Sequence, residues 1–159
     1  LDADTVGFIS SNDDWGFSTQ TLLSPDDMRK YVFPWHKKIV QAAHRRGKPC
    51  ILHSCGYFDS VIEDIIEDIG FDARHSYEDK IVPVEQAYER LNGRIAVLGG
   101  IDMDFLTSAV PEEVYKRSRA MLERTWESGG YALGSGNSIP EYVPVENYMA
   151  MIRAAWDMD

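Results

Sequence analysis

Five short apolar segments alternate with five longer amphipathic segments along this chain, and that alternation is the strongest constraint on its fold. The predicted strands cover residues 5–10, 49–55, 71–76, 95–101 and 131–136. Each strand is followed by a stretch whose apolar side chains recur at helical spacing. Because crossovers through helices join parallel strands, the pattern predicts an α/β fold, with parallel strands covered by outer helices.

Proline and glycine residues mark the ends of the predicted helices. The first helix begins at Pro25, after the N-cap residue Ser24, and ends at Gly47, and we expect Pro34 to kink it. The other helices are predicted over residues 58–69 and 83–91, from Pro111 to the pair Gly129-Gly130, and from Pro144 onward.

The number of strands matches part of a barrel. Five βα units in 159 residues correspond to five of the eight units of a (β/α)8 barrel, which needs roughly 250 residues. Because the chain begins at Leu1 without an initiator methionine, we expect residues 1–159 to be a single domain or a fragment of one. A doubly wound open sheet is the alternative fold, although the first βα turn lacks a glycine-rich phosphate loop.

A five-unit piece of a barrel leaves two strands with an unpaired edge. We expect residues 5–10 and 131–136 to need the missing barrel units, another copy or another chain as a partner. The inward side chains Ile51 and Val97 are then expected to reach water.

Composition and charge narrow the possible partners. The 16 basic and 26 acidic residues give a net charge of −10, which disfavours nucleic acid. No apolar run approaches the roughly 20 residues that span a bilayer, so we expect a cytoplasmic protein without a membrane partner. Cys50 and Cys55 are five positions apart on one predicted strand and point to opposite faces, so no disulfide between them is expected.

A histidine and a cysteine, His53 and Cys55, end the second predicted strand. Strand alternation places them on one face, and imidazole and thiolate are both good zinc ligands. We therefore expect both to point into the barrel mouth, while Cys50 and Leu52 face the outer helices. A buried cysteine beside a hydrogen-bonded histidine explains the same pattern without a metal.

Further polar side chains end the third and fourth strands. Because neighbouring strand ends of a barrel face one mouth, His75 is a candidate ligand or general base, and Glu78 a candidate oxygen ligand. Asp102 ends the fourth strand and is a candidate catalytic residue. The alternatives are a histidine that faces the helices, a solvated loop carboxylate and a helix N-cap, respectively.

The loops after the first and fifth strands contain candidate substrate-binding residues. Asp13, Asp14 and Trp15 supply two carboxylates and an aromatic plane, which suit a polar, flat or cationic ligand. Ser135 and Asn137 lie in a loop whose glycines let the backbone approach a ligand closely. Ordinary turns explain both loops equally well.

Segments 13–16, 24–28, 51–56, 99–102 and 139–147 also share motifs with a known group of proteins. Together they resemble the uroporphyrinogen decarboxylase superfamily, which includes the methylcobamide:coenzyme M methyltransferases. They follow family order over nearly the whole chain. The resemblance implies a (β/α)8 barrel, of which this chain corresponds to the C-terminal five βα units.

The resemblance implies a metal site and also shows departures from the family pattern. The methyltransferase branch has a zinc-binding histidine-any-cysteine pair, which falls on His53 and Cys55, and a glutamate ligand, which falls on Glu78. Its last cysteine ligand falls on Asn137, so weak zinc binding, water in place of the thiolate, and no metal are all compatible with this chain. The decarboxylase branch has a histidine where this chain has Ser135, and its essential aspartate lies upstream of Leu1.

The resemblance implies an enzyme and leaves its reaction open. One reaction is methyl transfer from a corrinoid cofactor to a thiol-type acceptor, with zinc lowering the pKa of the thiol and a corrinoid protein as a partner. The other is decarboxylation of a tetrapyrrole carboxylate, which relies on positioned polar groups and no metal. A protein that retains the barrel mouth for binding without catalysis is the third possibility.

Overall fold

The computed structural model describes Leu1 and residues 3–158. The chain forms two compact units, Leu1–His75 and Ser76–Asp159. The strand pairs within each unit run parallel and are accompanied by helices, so the predicted α/β fold with parallel strands is confirmed. None of the helices in the described part of the chain has the length and apolarity that crossing a membrane requires.

The first unit contains three parallel strands. They are β1 (Ile9–Asn12), β2 (Cys50–His53) and β3 (Ala73–His75), with β2 in the middle. In this register His53 lies opposite both Asn12 and His75, which places the C-terminal ends of the strands side by side. The first strand begins four residues later than the predicted 5–10, because pairing starts where the Ile9 amide donates to the carbonyl of Pro49.

The helical segments of the first unit depart from regular α-helix. A short helix α1 (Pro25–Asp27) leads into a π-helical turn, Met28–Val32, and then into α2 (Phe33–His44). The segment changes from π-helical to α-helical just before Pro34, which lies in the first turn of α2, where an amide has no partner within the helix. The predicted kink at Pro34 stays a prediction. The predicted helix 58–69 is a 3₁₀ turn, Asp59–Val61, followed two residues later by a π-helical segment, Asp64–Ile69.

The second unit contains two parallel strands and four helices. The strands are β4 (Ala96–Leu98) and β5 (Tyr131–Ala132), and the helices are α3 (Val84–Leu91), α4 (Met103–Ser108), α5 (Pro111–Thr125) and α6 (Val145–Trp156). Helix α4 was not predicted, because six residues are too few to show helical periodicity. A hydrophobic core cluster of the second unit consists of Ile101, Leu106, Val114, Val143, Ala150 and Met151.

Side-chain burial alternates along the strands. On β2, Cys50 and Leu52 are fully buried, whereas Ile51 and His53 are partly exposed, in agreement with the predicted alternation. On β4 the alternation is opposite to the predicted one. Val97 is fully buried between two partly exposed neighbours. The expectation that Val97 reaches water is therefore wrong.

Candidate functional site

Three donor side chains meet at the C-terminal ends of β1 and β2 in the first unit. His53 is the last residue of β2, Cys55 lies two residues beyond it, and Asp14 lies two residues beyond the end of β1. The Cys55 Sγ atom is 4.0 Å from His53 Nε2. A carboxylate oxygen, an imidazole nitrogen and this sulfur all lie within 4.8 Å of one another. Sequence reasoning assigned Asp14 to substrate binding and missed its convergence with His53 and Cys55.

The pairing of β1 with β2 explains why Asp14 joins the group. Asn12 lies opposite His53, and two further residues after each strand bring Asp14 beside Cys55. Asp14 Oδ1 accepts a hydrogen bond from the Cys55 amide at 2.9 Å. One carboxylate therefore holds the loop that carries the thiol.

Backbone contacts lock the two loops together. The Asp13 amide donates to the His53 carbonyl at 3.0 Å, and the Tyr57 amide donates to the Phe17 carbonyl at 2.6 Å. Gly56 has a φ of +90°, and a Cβ atom there would lie 2.2 Å from the carbonyl oxygen of Gly16. Only glycine permits this approach, so the two glycines bring the loops of the donor group into contact.

The donor set fits zinc. Tetrahedral zinc with bonds of about 2.05 Å to nitrogen and 2.3 Å to sulfur places these two atoms about 3.6 Å apart. The observed 4.0 Å between Cys55 Sγ and His53 Nε2 is within the reach of a small side-chain rotation. Asp14 is exposed and the other two residues are partly exposed, which leaves a coordination position accessible from solvent. Catalytic zinc sites keep such an open position.

His75 contacts this group through His53. The two Nδ1 atoms are 2.6 Å apart, and the ring centroids are 4.8 Å apart with the ring planes inclined by 32°. His75 is not one of the three residues whose donor atoms converge in the described part of the chain. Its predicted catalytic role stays a prediction.

Glu78 belongs to the second unit and lines a cavity there. The cavity has a volume of about 410 Å³, and Lys80, Asp102, Asn137 and Tyr142 are among its other lining residues. Three of its lining residues are acidic, and Lys80 Nζ, its one basic group, is already 2.5 Å from Asp104 Oδ2. The role of Glu78 as a metal ligand stays a prediction.

Asp102 acts as a helix cap. Its Oδ1 atom accepts from the Phe105 amide at 3.0 Å and its Oδ2 atom accepts from the Asp79 amide at 2.9 Å, and the residue is buried. Both carboxylate oxygens therefore have backbone donors, as in the N-cap alternative to the predicted catalytic role.

We expect Asp102→Ala to lower the free energy of unfolding by about 1 to 2 kcal/mol, because it removes an N-cap and leaves two amides without their acceptor. Urea denaturation followed by circular dichroism measures the loss. Asp104→Ala is the matched control, since the exposed Asp104 pairs only with the exposed Lys80 among the ion pairs of the described residues. Equal losses in the two variants would contradict a capping role.

The predicted substrate-binding residues of the first loop are engaged with the protein. Trp15 is 3% exposed and packs against Phe33 and His36, and its predicted role in substrate binding stays a prediction. Asp13 Oδ2 accepts from Trp15 Nε1 at 2.9 Å and lies 3.1 Å from His36 Nε2. His36 Nδ1 in turn lies 3.0 Å from Ser11 Oγ. No sequence signal indicated His36, because one histidine on an amphipathic helix is not distinctive.

The loop after β5 is bonded to itself and to the segment after β4, where the Gly136 amide donates to the Ile101 carbonyl at 2.7 Å. The Ser135 hydroxyl donates to the Asn137 carbonyl at 2.6 Å, and the Ser138 amide donates to Asn137 Oδ1 at 2.8 Å. A Cβ atom on Gly136 would lie 2.5 Å from the carbonyl oxygen of Tyr77, so this glycine lets two backbone segments meet. The predicted substrate-binding roles of Ser135 and Asn137 stay predictions.

The sequence matches a known protein family and several of its members. The sequence model of uroporphyrinogen decarboxylase (URO-D) matches residues 6–158. The chain is 28% identical over 138 residues to a methylated-thiol–coenzyme M methyltransferase of Methanosarcina mazei, which covers 86% of this chain and 35% of that protein. It is 29% identical over 133 residues to a uroporphyrinogen decarboxylase of Anaeromyxobacter dehalogenans, covering 83% of this chain and 36% of that protein.

A third relative belongs to the methyltransferase branch. The methylcobamide:CoM methyltransferase MtbA of Methanosarcina acetivorans is 25% identical over 154 residues, which cover 96% of this chain and 42% of that protein. The chain thus spans between 35% and 42% of the length of these three relatives. Both kinds of relative are enzymes, and the parallel α/β architecture suits part of a (β/α)8 barrel. The family match over nearly the whole sequence shows that this chain belongs to the uroporphyrinogen decarboxylase family.

Proposed function

We propose that this chain takes part in corrinoid-linked methyl transfer to a thiol-type acceptor, with zinc held by Asp14, His53 and Cys55. The observation that carries the proposal is the convergence of carboxylate, imidazole and thiol donor atoms within 4.8 Å at the ends of β1 and β2. The methyltransferase relatives from the two Methanosarcina species support it. Glu78 remains a candidate for a further ligand.

The three residues have complementary roles in this proposal. The carboxylate of Asp14 and the thiolate of Cys55 together balance the charge of a divalent cation, while His53 binds as a neutral imidazole. Bound zinc would act as a Lewis acid that lowers the pKa of a coordinated acceptor thiol. The thiolate so formed would attack the methyl group of a methylcorrinoid donor, so that a carbon–sulfur bond would form as the carbon–cobalt bond breaks and leaves its electron pair on the cobalt. The exposure of Asp14 gives the acceptor a route from solvent.

The two cysteines differ in the way the proposal requires. Cys50 is fully buried, and burial, with a smaller contribution from Asp72, raises the pKa of its thiol to about 11. Its sulfur therefore stays protonated at neutral pH and is a poor metal ligand. Cys55 lies just beyond the end of β2, beside His53, and is partly exposed, so a metal ion could reach its thiol from solvent.

Decarboxylation of a tetrapyrrole carboxylate is the second candidate, because the Anaeromyxobacter dehalogenans relative is a uroporphyrinogen decarboxylase. The charge of the second-unit cavity disfavours it. Glu78, Asp102 and Asp104 line this cavity, and Lys80 is paired with Asp104. A substrate rich in carboxylates would meet like charge there, which weakens its binding.

Zinc binding tests the proposal. We expect the protein to bind one zinc ion per chain at neutral pH, measured by competition with a chromogenic chelator. Cys55→Ala should weaken this binding by about 100-fold or more, because it removes a charged, soft ligand. Cys50→Ala is the matched control, since it removes the other thiol and leaves the donor group intact.

Methyl transfer gives the second readout. The protein should methylate a thiol when methylcobalamin is the donor, and Cys55→Ala should abolish this activity. A zinc-free protein that binds and decarboxylates a porphyrinogen would contradict the proposal and support the decarboxylase instead.

A further inference from the structure

We infer that His75 is a positioning residue that selects the tautomer of His53 and holds its ring for metal binding. This inference rests on the proposed zinc site. Its basis is the 2.6 Å separation of the two Nδ1 atoms on neighbouring strands. His75 then acts through His53 and does not itself touch the reacting atoms.

The short separation determines where the hydrogen lies. Two nitrogen atoms 2.6 Å apart need one hydrogen between them, because two lone pairs or two N–H groups facing each other would repel. His53 turns its Nε2 atom toward Cys55 Sγ, at 4.0 Å. A metal at that position needs the lone pair of Nε2, so the hydrogen of neutral His53 must be on Nδ1. His53 Nδ1 therefore donates, and His75 Nδ1 accepts.

The opposite arrangement excludes the metal. If His75 Nδ1 donated, neutral His53 would carry its hydrogen on Nε2 and direct it toward the sulfur of Cys55. The imidazole pair therefore has two forms, and only the form in which His75 accepts has a metal-binding nitrogen beside the thiol. Metal-binding histidines commonly donate their second N–H to a carboxylate, a backbone carbonyl or water, and loss of that acceptor lowers metal affinity. The accepting Nδ1 atom of His75 takes this place here.

Strand register holds the two rings together. His53 lies opposite His75 in the parallel pairing of β2 with β3, so both side chains project from the same face. The Ser54 amide donates to the His75 carbonyl at 2.7 Å and fixes the backbone at this point. Asp14 and Cys55 are oriented by a different contact, the hydrogen bond from the Cys55 amide to the Asp14 carboxylate. We therefore expect the loss of His75 to disturb His53 and to leave Asp14 and Cys55 in place.

Zinc affinity of His75 variants tests the inference. We expect His75→Ala to weaken zinc binding by about 10- to 100-fold, because His53 loses the acceptor that selects its tautomer. His75→Asn should restore most of the affinity, since its amide oxygen can occupy the position of Nδ1 and can only accept. His44→Ala is the matched control, because His44 pairs with Asp72 away from the donor group. Thermal unfolding of each metal-free variant verifies that it is folded.

Cobalt substitution separates positioning from direct ligation. With Co²⁺ in place of Zn²⁺, the wild type and His75→Ala should show the same thiolate-to-cobalt absorption, because the three ligands are unchanged. A different ligand-field spectrum in His75→Ala would show that His75 is a ligand and overturn the inference. Equal zinc affinity in wild type and His75→Ala would also overturn it while leaving the proposed function intact. A wild type that binds no zinc would overturn both.

Discussion

Replacing Gly56 by alanine should destabilise the protein by about 3 to 5 kcal/mol. Gly56 has a φ of +90°, which an L-residue with a side chain rarely adopts. The new Cβ atom would also lie 2.2 Å from the Gly16 carbonyl oxygen and 2.7 Å from its Cα atom. Both neighbours are backbone atoms, so rotation of a side chain cannot relieve the clash.

Gly70→Ala separates backbone strain from the clash. Gly70 has a similar φ of +82°, but a Cβ atom there would meet nothing within 4 Å. We therefore expect Gly70→Ala to cost about 1 to 2 kcal/mol, from strain alone. Urea denaturation at equilibrium measures both variants. Equal losses would show that the approach of Gly16 to Gly56 contributes nothing to stability.

Gly56→Ala should also weaken zinc binding if the proposed site is correct. The substitution displaces the loop next to Cys55, whose amide donates to Asp14 at 2.9 Å. A shift of about 1 Å in a ligand is enough to spoil the geometry of a metal site. We expect Gly70→Ala to retain the zinc affinity of the wild type, because Gly70 lies at the end of the Asp64–Ile69 segment.

Arg117→Met should lower the free energy of unfolding by about 2 to 4 kcal/mol, because it leaves two partly buried carboxylates without their cation. Arg117 donates to both oxygens of Asp79, at 2.6 and 2.8 Å, and to both oxygens of Glu85, at 2.8 and 3.0 Å. Its side chain is 18% exposed. Desolvation alone would lower the pKa of Arg117, but the hydrogen bonds to Asp79 and Glu85 raise it, so the guanidinium stays charged.

Two control variants isolate the contribution of this network. Arg124→Met on the same helix removes the exposed pair with Glu89 and should cost less than about 1 kcal/mol. Arg117→Lys keeps the charge but loses the paired geometry, so we expect an intermediate loss. Guanidinium chloride would screen these charges, so urea is the suitable denaturant. A loss in Arg117→Met no larger than in Arg124→Met would contradict the prediction.

The effect of Arg117→Met should depend on pH. Burial alone would raise the pKa of Glu85, but its hydrogen bond to Arg117 lowers the pKa below the ordinary value of 4.5. A carboxyl group with a lowered pKa in the folded state stabilises the protein above its unfolded pKa, and this stabilisation is lost as the pH falls. The difference between wild type and Arg117→Met should therefore be largest near neutral pH and shrink below pH 4.5. A constant difference across this range would contradict the role of Glu85.

Arg117 also helps to hold the backbone next to Glu78, the candidate ligand in the second unit. Asp79 follows Glu78 directly, and it is held by Arg117 through its side chain and by Asp102 through its amide. These contacts fix the backbone on which Glu78 is carried. The cavity lined by Glu78 therefore depends on a helix residue that does not line it.

Sequence reasoning was most successful where the controlling interactions are local. Alternation of apolar runs predicted all five strands, and Pro111 predicted the start of α5. Strand ends were less accurate, because a strand ends where its neighbour stops pairing and this depends on residues far along the chain. The phase of β4 was wrong for the same reason, since a short apolar run is compatible with either face pointing inward.

The candidate site shows the same division between local and tertiary control. His53 and Cys55 are two residues apart, so their common face follows from the period of a strand, and the sequence by itself determined that they could converge. Only the tertiary structure decided that Asp14 joins them, that His75 contacts His53 and that Trp15 is buried. The first two outcomes depend on the register between strands and on the close approach of Gly16 to Gly56, and the third on packing of Trp15 against α2. Register and loop contact are set by packing between distant segments, which no local pattern in the sequence encodes.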